Sequence, residues 1–144
     1  MSGDGTGRRR AREAALQMLY QSEVGKAGAY ESIATYWPSR EAEEQLDEPL
    51  REFANGLVRG VLDRQTEIDG HLSAHTQNWR LERMTILDRI VLRLAVYEML
   101  AEPETPSKVI INEAIELARS YSGEEAVGFV NGVLDAVRKE LRRT

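Results

Sequence analysis

The stretch from Ile86 to Leu100, ILDRIVLRLAVYEML, constrains the fold more than any other part of the chain. Ile86, Leu87, Ile90, Val91, Leu94, Tyr97 and Met99 recur at helical steps, and most of the positions between them are apolar as well. A helix apolar around so much of its circumference must be covered by other elements, so it belongs at the centre of a bundle. Thr85, followed three residues later by Asp88, supplies its start as a capping box with the shorter acid.

The remaining segments repeat the helical period and nowhere show the alternation of a strand. Ala11, Ala15, Met18 and Leu19 predict a helix from Arg8 to near Gly25, with Gly28 marking the turn beyond. A short helix from Tyr30 to Trp37 is stopped by Pro38, and REAEEQLDEP reads as an exposed connection. Leu50, Phe53, Leu57, Val58, Val61 and Leu62 share one face of the next helix, with Asp47 available as a cap before Pro49. Ile68, Leu72 and His75 continue on a stretch broken near Arg64, and TQNWRLER reads as a turn. Pro103 and Pro106 bracket a connection, after which Val109, Ile110, Ala114, Ile115, Leu117 and Ala118 give a helix ending at Gly123. Glu124 and Glu125 suit a helix start, and Phe129, Val130, Val133, Leu134 and Val137 carry the last helix to near Leu141. The predicted fold is all-α, with about seven helices in two small packed bundles. A glycine-rich, disordered lead-in at 1–7 precedes one helical domain over 8–141, with sub-bundles at 8–77 and 78–141.

Composition narrows the function. With 144 residues, 42% of them hydrophobic, the chain buries a real core. It has no cysteine, which removes disulfides, thiolate nucleophiles and cysteine metal ligands. No apolar run reaches the length of a membrane span and no charged-then-apolar leader is present, so a cytoplasmic protein is expected. The formal net charge is -5, unevenly spread. Arg8, Arg9, Arg10 and Arg12 stand against Asp4 at one end, and Arg138, Lys139, Arg142 and Arg143 against Glu140 at the other. The body between is strongly acidic, so a polyanion is repelled by the middle and attracted to the ends.

The run GRRRAREAALQMLY poses a specific problem. A helix start favours acids, because its free N–H groups and macrodipole are positive there. Composition alone leaves two readings, a solvated tail or a polyanion site. The run leads directly into a helix, Arg8 and Arg12 fall one turn apart, and a bound anion would offset the dipole penalty. Arginine also suits phosphate and base stacking. The basic end RKELRRT is similarly either an added polyanion contact or a tail.

Other candidates are weaker. HLSAH sets His71 and His75 at metal-binding spacing, but two ligands are too few. Glu113 with Glu116, and Glu43, Glu44, Asp47 and Glu48, read as solvated faces rather than acid–base or metal pairs. Gly128 and Gly132 inside a helix cost about 1 kcal/mol each relative to alanine. Close helix packing is expected at Gly132, and either packing or a ligand surface at Gly128, beside Phe129 and Asn131.

RRRAREAALQMLYQSEV, LDRIVLRLAVYEML and INEAIELARSYSGEEAVGFVNGVLDAV together resemble the NusB family of bacterial transcription antitermination factors. The resemblance implies an all-helical protein that binds the boxA element of nascent RNA together with NusE, also a small-subunit ribosomal protein. That pair joins other Nus factors on RNA polymerase, suppresses premature termination chiefly in ribosomal RNA operons, and assists rRNA maturation. It implies no catalysis, cofactor or metal, and family members that are monomers or homodimers.

Carried onto this sequence, the RNA-binding positions are Arg8, Arg9, Arg10, Arg12 and Tyr20 on the first helix, Arg89 and Arg93 on the central helix, and Phe129 and Asn131 on the last. Asp88 and Glu125 match acidic positions on the NusE-facing or RNA-adjacent surface. Two alternatives are a purely protein-binding helical scaffold and the NusB-like unit of an rRNA cytosine methyltransferase. The second finds neither a nucleophilic cysteine nor a cofactor-binding glycine motif here.

Overall fold

The computed structural model describes residues 3–76 and 81–144; the middle of the predicted turn TQNWRLER, and Met1 and Ser2 of the predicted lead-in, lie outside them. The described residues form seven α-helices and no strand, in two compact units, Met1–Asp63 and Arg64–Thr144.

The first unit contains α1 (Gly3–Gly25), α2 (Ala29–Tyr36) and α3 (Glu48–Asp63). Ala11, Ala14, Ala15, Leu16, Met18 and Leu19 of α1 are buried, as are Ala54, Leu57, Val58 and Val61 of α3. Three alanines on the buried face of α1 keep its core-facing side slim, and α1 and α3 form the most extensive helix pair of the unit.

Pro38 lies inside a short 3-10 turn after α2, and Trp37 at its start is buried. The Trp37 indole N–H donates to Asn55 Oδ1 at 2.9 Å, while the Gln45 amide donates to the Trp37 and Arg40 carbonyls. The acidic connection is therefore exposed in its side chains but fastened at both ends, and Leu46 is buried within it.

Two expectations are corrected here. The helix starts at Gly3, not Arg8, so residues 3–7 are helix rather than disordered lead-in. Tertiary contact outweighs glycine's low propensity: Gly7 is buried against Leu50, so closely that a Cβ there would stand 2.8 Å from Leu50 Cδ1. The arginines consequently begin in the second turn, beyond most of the macrodipole penalty. The unit boundary also falls at Asp63/Arg64 rather than near residue 77, because α4 (Gln65–Ser73) packs on α5 (Ile86–Ala101) and buries Ile68 and Leu72.

The second unit is built on α5, with α4, α6 (Ser107–Tyr121) and α7 (Val127–Glu140) packed around it. Ile90, Val91, Leu92, Leu94, Ala95, Val96 and Met99 are all buried, as the apolar pattern requires. Thr85 Oγ1 accepts from the Asp88 backbone N–H at 3.1 Å and caps α5, which is one half of the expected capping box. Gly123, with φ of +119°, ends α6, and a short 3-10 turn leads into α7.

The end of α7 closes as a Schellman motif. Arg142 takes the left-handed conformation (φ 59°), its N–H donates to the Lys139 carbonyl, and the Arg143 N–H reaches back to the Arg138 carbonyl. That turn aims the Arg143 guanidinium at the Met99 and Thr105 carbonyls and at Ser107 Oγ. Arg138 pairs with Asp135 and also holds the Arg143 carbonyl. Most of the basic end is thus spent on internal structure rather than left as a tail.

Candidate nucleic-acid and protein interfaces

In the first unit, Arg8, Arg9 and Arg10 are exposed on α1, whereas Arg12 is buried. Arg8 lies with its guanidinium carbon 4.2 Å from the centroid of the Phe53 ring, and Arg12 stands 5.4 Å from the same centroid. Arg10 donates to the Glu43 carbonyl at 3.2 Å, tying the tract to the acidic connection. Tyr20 is 42% exposed. It follows Arg9 by eleven residues, about three helical turns, so the two share a face of α1 roughly 16 Å apart along its axis. The first helix therefore offers three outward cations and an outward aromatic ring on a rigid scaffold. In the sequence Phe53 has a place in the apolar pattern of α3 but shows no sign that arginines cover it.

In the second unit, Asp88, Glu125 and Phe129 line one groove of about 650 Å³, together with Met84, Leu87 and Tyr121. Its chemistry is mixed. The floor is apolar and aromatic, Glu125 is exposed at its edge, and two buried polar atoms in its lining, Asp88 Oδ1 and Ser122 Oγ, have no hydrogen-bond partner. Both atoms are covered by protein, so they are a cost to the fold rather than groups open to the groove. Ser122 and Tyr121 had no signal in the sequence beyond standing at a helix end.

The structure does not bring the remaining site residues to these surfaces. Arg89 and Arg93 were expected to extend a basic track, but both are buried, at 8% exposure. The Arg89 guanidinium donates to the Leu81 and Met84 carbonyls, and Arg93 forms a two-point ion pair with Asp69. Internal acceptors consume them, because α5 is central and has little outer face. Arg12 is likewise turned inward. Asn131 is exposed, but two residues from Phe129 place it on the far side of α7 from the groove.

Gly128 and Gly132 have nothing within 4 Å of an added Cβ, which overturns the expectation of close packing at Gly132. His71 and His75 both contact the Glu140 carboxylate, at 3.2 and 2.7 Å. The hydrogen bond from His75, then that from His71, holds this carboxyl below the usual range. Glu116 is paired with Arg119 at 2.8 Å. Among the described residues no group of three or more His, Cys, Asp or Glu side chains is arranged to hold a metal, and no helix is long and apolar enough to cross a membrane.

An ordered cationic helix in one unit and an acidic-rimmed apolar groove in the other give this all-helical chain the build of a binding protein. Comparison with known proteins is specific. The NusB family model matches residues 9–139. A transcription antitermination protein NusB of Koribacter versatilis is 45% identical over 134 residues, covering 93% of this chain and 90% of its own. The chain belongs to the NusB family, and as such it is a transcription factor, not an enzyme.

Solved structures agree. T. maritima NusB superposes with a TM-score of 0.81 at 36% identity, covering 92% of this chain and 91% of its own. A chain from a crystal structure of antitermination factors NusB and NusE in complex with double-stranded RNA superposes with a TM-score of 0.83 at 25% identity, covering 94% and 98%.

Proposed function

We propose that this protein is an RNA-binding transcription antitermination factor that binds boxA RNA together with NusE and suppresses premature termination in ribosomal RNA operons. The observation that carries the RNA half is the display of Arg8, Arg9 and Arg10 outward from an ordered helix of an otherwise acidic chain. These three arginines neutralise phosphate, and Tyr20 supplies a stacking surface on the same helix. Asn131, exposed on α7, is a further RNA contact through its amide.

The groove holding Asp88, Glu125 and Phe129 receives NusE. A ribosomal protein is basic, and the groove, largely apolar within, carries Asp88 and Glu125 in its lining. The assembled pair acts in the cytoplasm, on RNA polymerase with the other Nus factors.

Fluorescence anisotropy of labelled boxA RNA, with and without NusE across a salt series, tests this. NusE is expected to tighten binding, since it masks the acidic body and adds contacts. An Arg8→Ala, Arg9→Ala, Arg10→Ala triple variant should lose affinity, with its salt slope lower by about 0.7 for each single-strand phosphate contact removed. Equal affinity for boxA and a scrambled RNA, or no RNA binding at all, would favour a protein-binding scaffold instead.

A further inference from the structure

We propose that Phe53 is a positioning residue for RNA binding: its ring fixes the Arg8 guanidinium in the orientation in which it meets the RNA. This rests on the RNA-binding reading above and adds to it a residue from a different helix. Phe53 occupies the apolar face of α3, yet it is only half-buried, and the cover on its ring is cationic. Arg8 stands 4.2 Å and Arg12 5.4 Å from the ring centroid, both within the range in which the ring quadrupole attracts a cation.

The register of this contact is set by the backbone. Gly7, the residue before Arg8, lies against Leu50, and Leu50 is three residues before Phe53 on the same face of α3. The glycine contact therefore brings the α1 backbone close to α3 one turn from the ring. Arg8 and Arg12 are one turn apart and repel each other, and the electron-rich ring offsets that repulsion. Arg12 is buried, so it serves as the inner cation that keeps the ring engaged, while Arg8 remains exposed.

A guanidinium held with its carbon over a ring still presents N–H groups away from that ring for a phosphate contact. An unstacked arginine on the surface would have to be ordered as RNA binds, which costs about two- to tenfold in affinity. Arg8 is the exposed cation that stands nearest this ring.

The test uses the full chain with pentafluorophenylalanine in place of Phe53, which keeps shape and apolarity but reverses the ring quadrupole. Labelled boxA RNA is titrated with the wild type, this variant, Phe53→Leu, Arg8→Ala, and the pentafluoro variant in the Arg8→Ala background. Circular-dichroism melts accompany each titration. The pentafluoro variant should melt as a folded helical protein and bind RNA about three- to tenfold more weakly. The same substitution in the Arg8→Ala background should add no further loss.

If Arg8→Ala weakens binding while the pentafluoro variant binds like the wild type, the positioning role is overturned and RNA binding by the tract stands. A pentafluoro loss that persists undiminished without Arg8 also overturns it, since Phe53 would then act on RNA by itself. An Arg8→Ala variant that binds normally removes the object of the positioning. Failure of the wild type to bind RNA at all sinks both readings.

Discussion

Arg93 on α5 and Asp69 on α4 meet in a two-point ion pair, Nε to Oδ1 at 2.8 Å and Nη2 to Oδ2 at 2.9 Å. The Arg93 side chain is 9% exposed and that of Asp69 27%, so the pair joins two helices of the second unit largely away from water. Removing the arginine leaves a carboxylate with its planar partner gone. Arg93→Ala should destabilise the fold by about 2–3 kcal/mol, below the cost for a fully buried pair because Asp69 retains some solvent. RNA affinity measured well below the melting transition should be unchanged. A large loss of RNA affinity in a fully folded Arg93→Ala protein would restore Arg93 to the RNA surface.

Arg143 satisfies two carbonyls and a hydroxyl, at Met99, Thr105 and Ser107, that lie in or beside the end of α5 and the start of α6. Arg143→Ala should cost about 1–3 kcal/mol in a denaturant titration, through acceptors left short of donors. Arg143→Lys should recover little, because one ammonium lacks the rigid planar fork that serves three acceptors together. Substitution of Arg142, exposed on the same tail, by glycine should instead stabilise, since its left-handed backbone suits glycine.

Glu140 carries a depressed pKa, caused first by the His75 hydrogen bond. A carboxyl with a folded-state pKa below its unfolded value contributes stability that is fully present above the ordinary carboxylate range and is lost as pH falls through the folded value. Thermal melts of wild type and Glu140→Gln should therefore differ at about pH 6 and converge at acid pH. A difference that grows on acidification would contradict the arrangement at α4 and α7.

Gly132 lies in the interior of α7 with open space where a Cβ would stand. Gly132→Ala should raise stability by about 1 kcal/mol, the ordinary helical difference between the two residues. A loss of stability would mean that the helix cannot accept a side chain there. Comparing NusE and RNA binding of the same variant then reports whether a partner approaches this face.

The seven helices, their order and most of their ends were legible in the sequence because they depend on local pattern. Apolar residues at helical steps, Thr85 before α5 and Gly123 after α6 act within a few residues of themselves. The central place of α5 followed from the same pattern, since a helix apolar on nearly all sides has to be covered. The basic run at the start of the first helix was legible too, whereas Asp88 and Glu125 entered only through the family resemblance.

Which arginines face outward was decided only by the tertiary structure. Arg8, Arg9, Arg10, Arg12, Arg89, Arg93 and Arg143 have the same side chain, yet the first three stay exposed even where they touch a ring or a carbonyl, while the others are turned inward onto a ring, a carboxylate or a set of carbonyls. Arg93 finds its partner 24 residues away and Arg143 its helix end 44 residues away. Residue type sets what an arginine is able to bind, while its burial and partners depend on distant segments that converge when the helices pack. The helical start at Gly3 and the placement of α4 with the second unit have the same cause: packing energy gathered along whole helix faces outweighs the local propensity of glycine and the punctuation of a single turn.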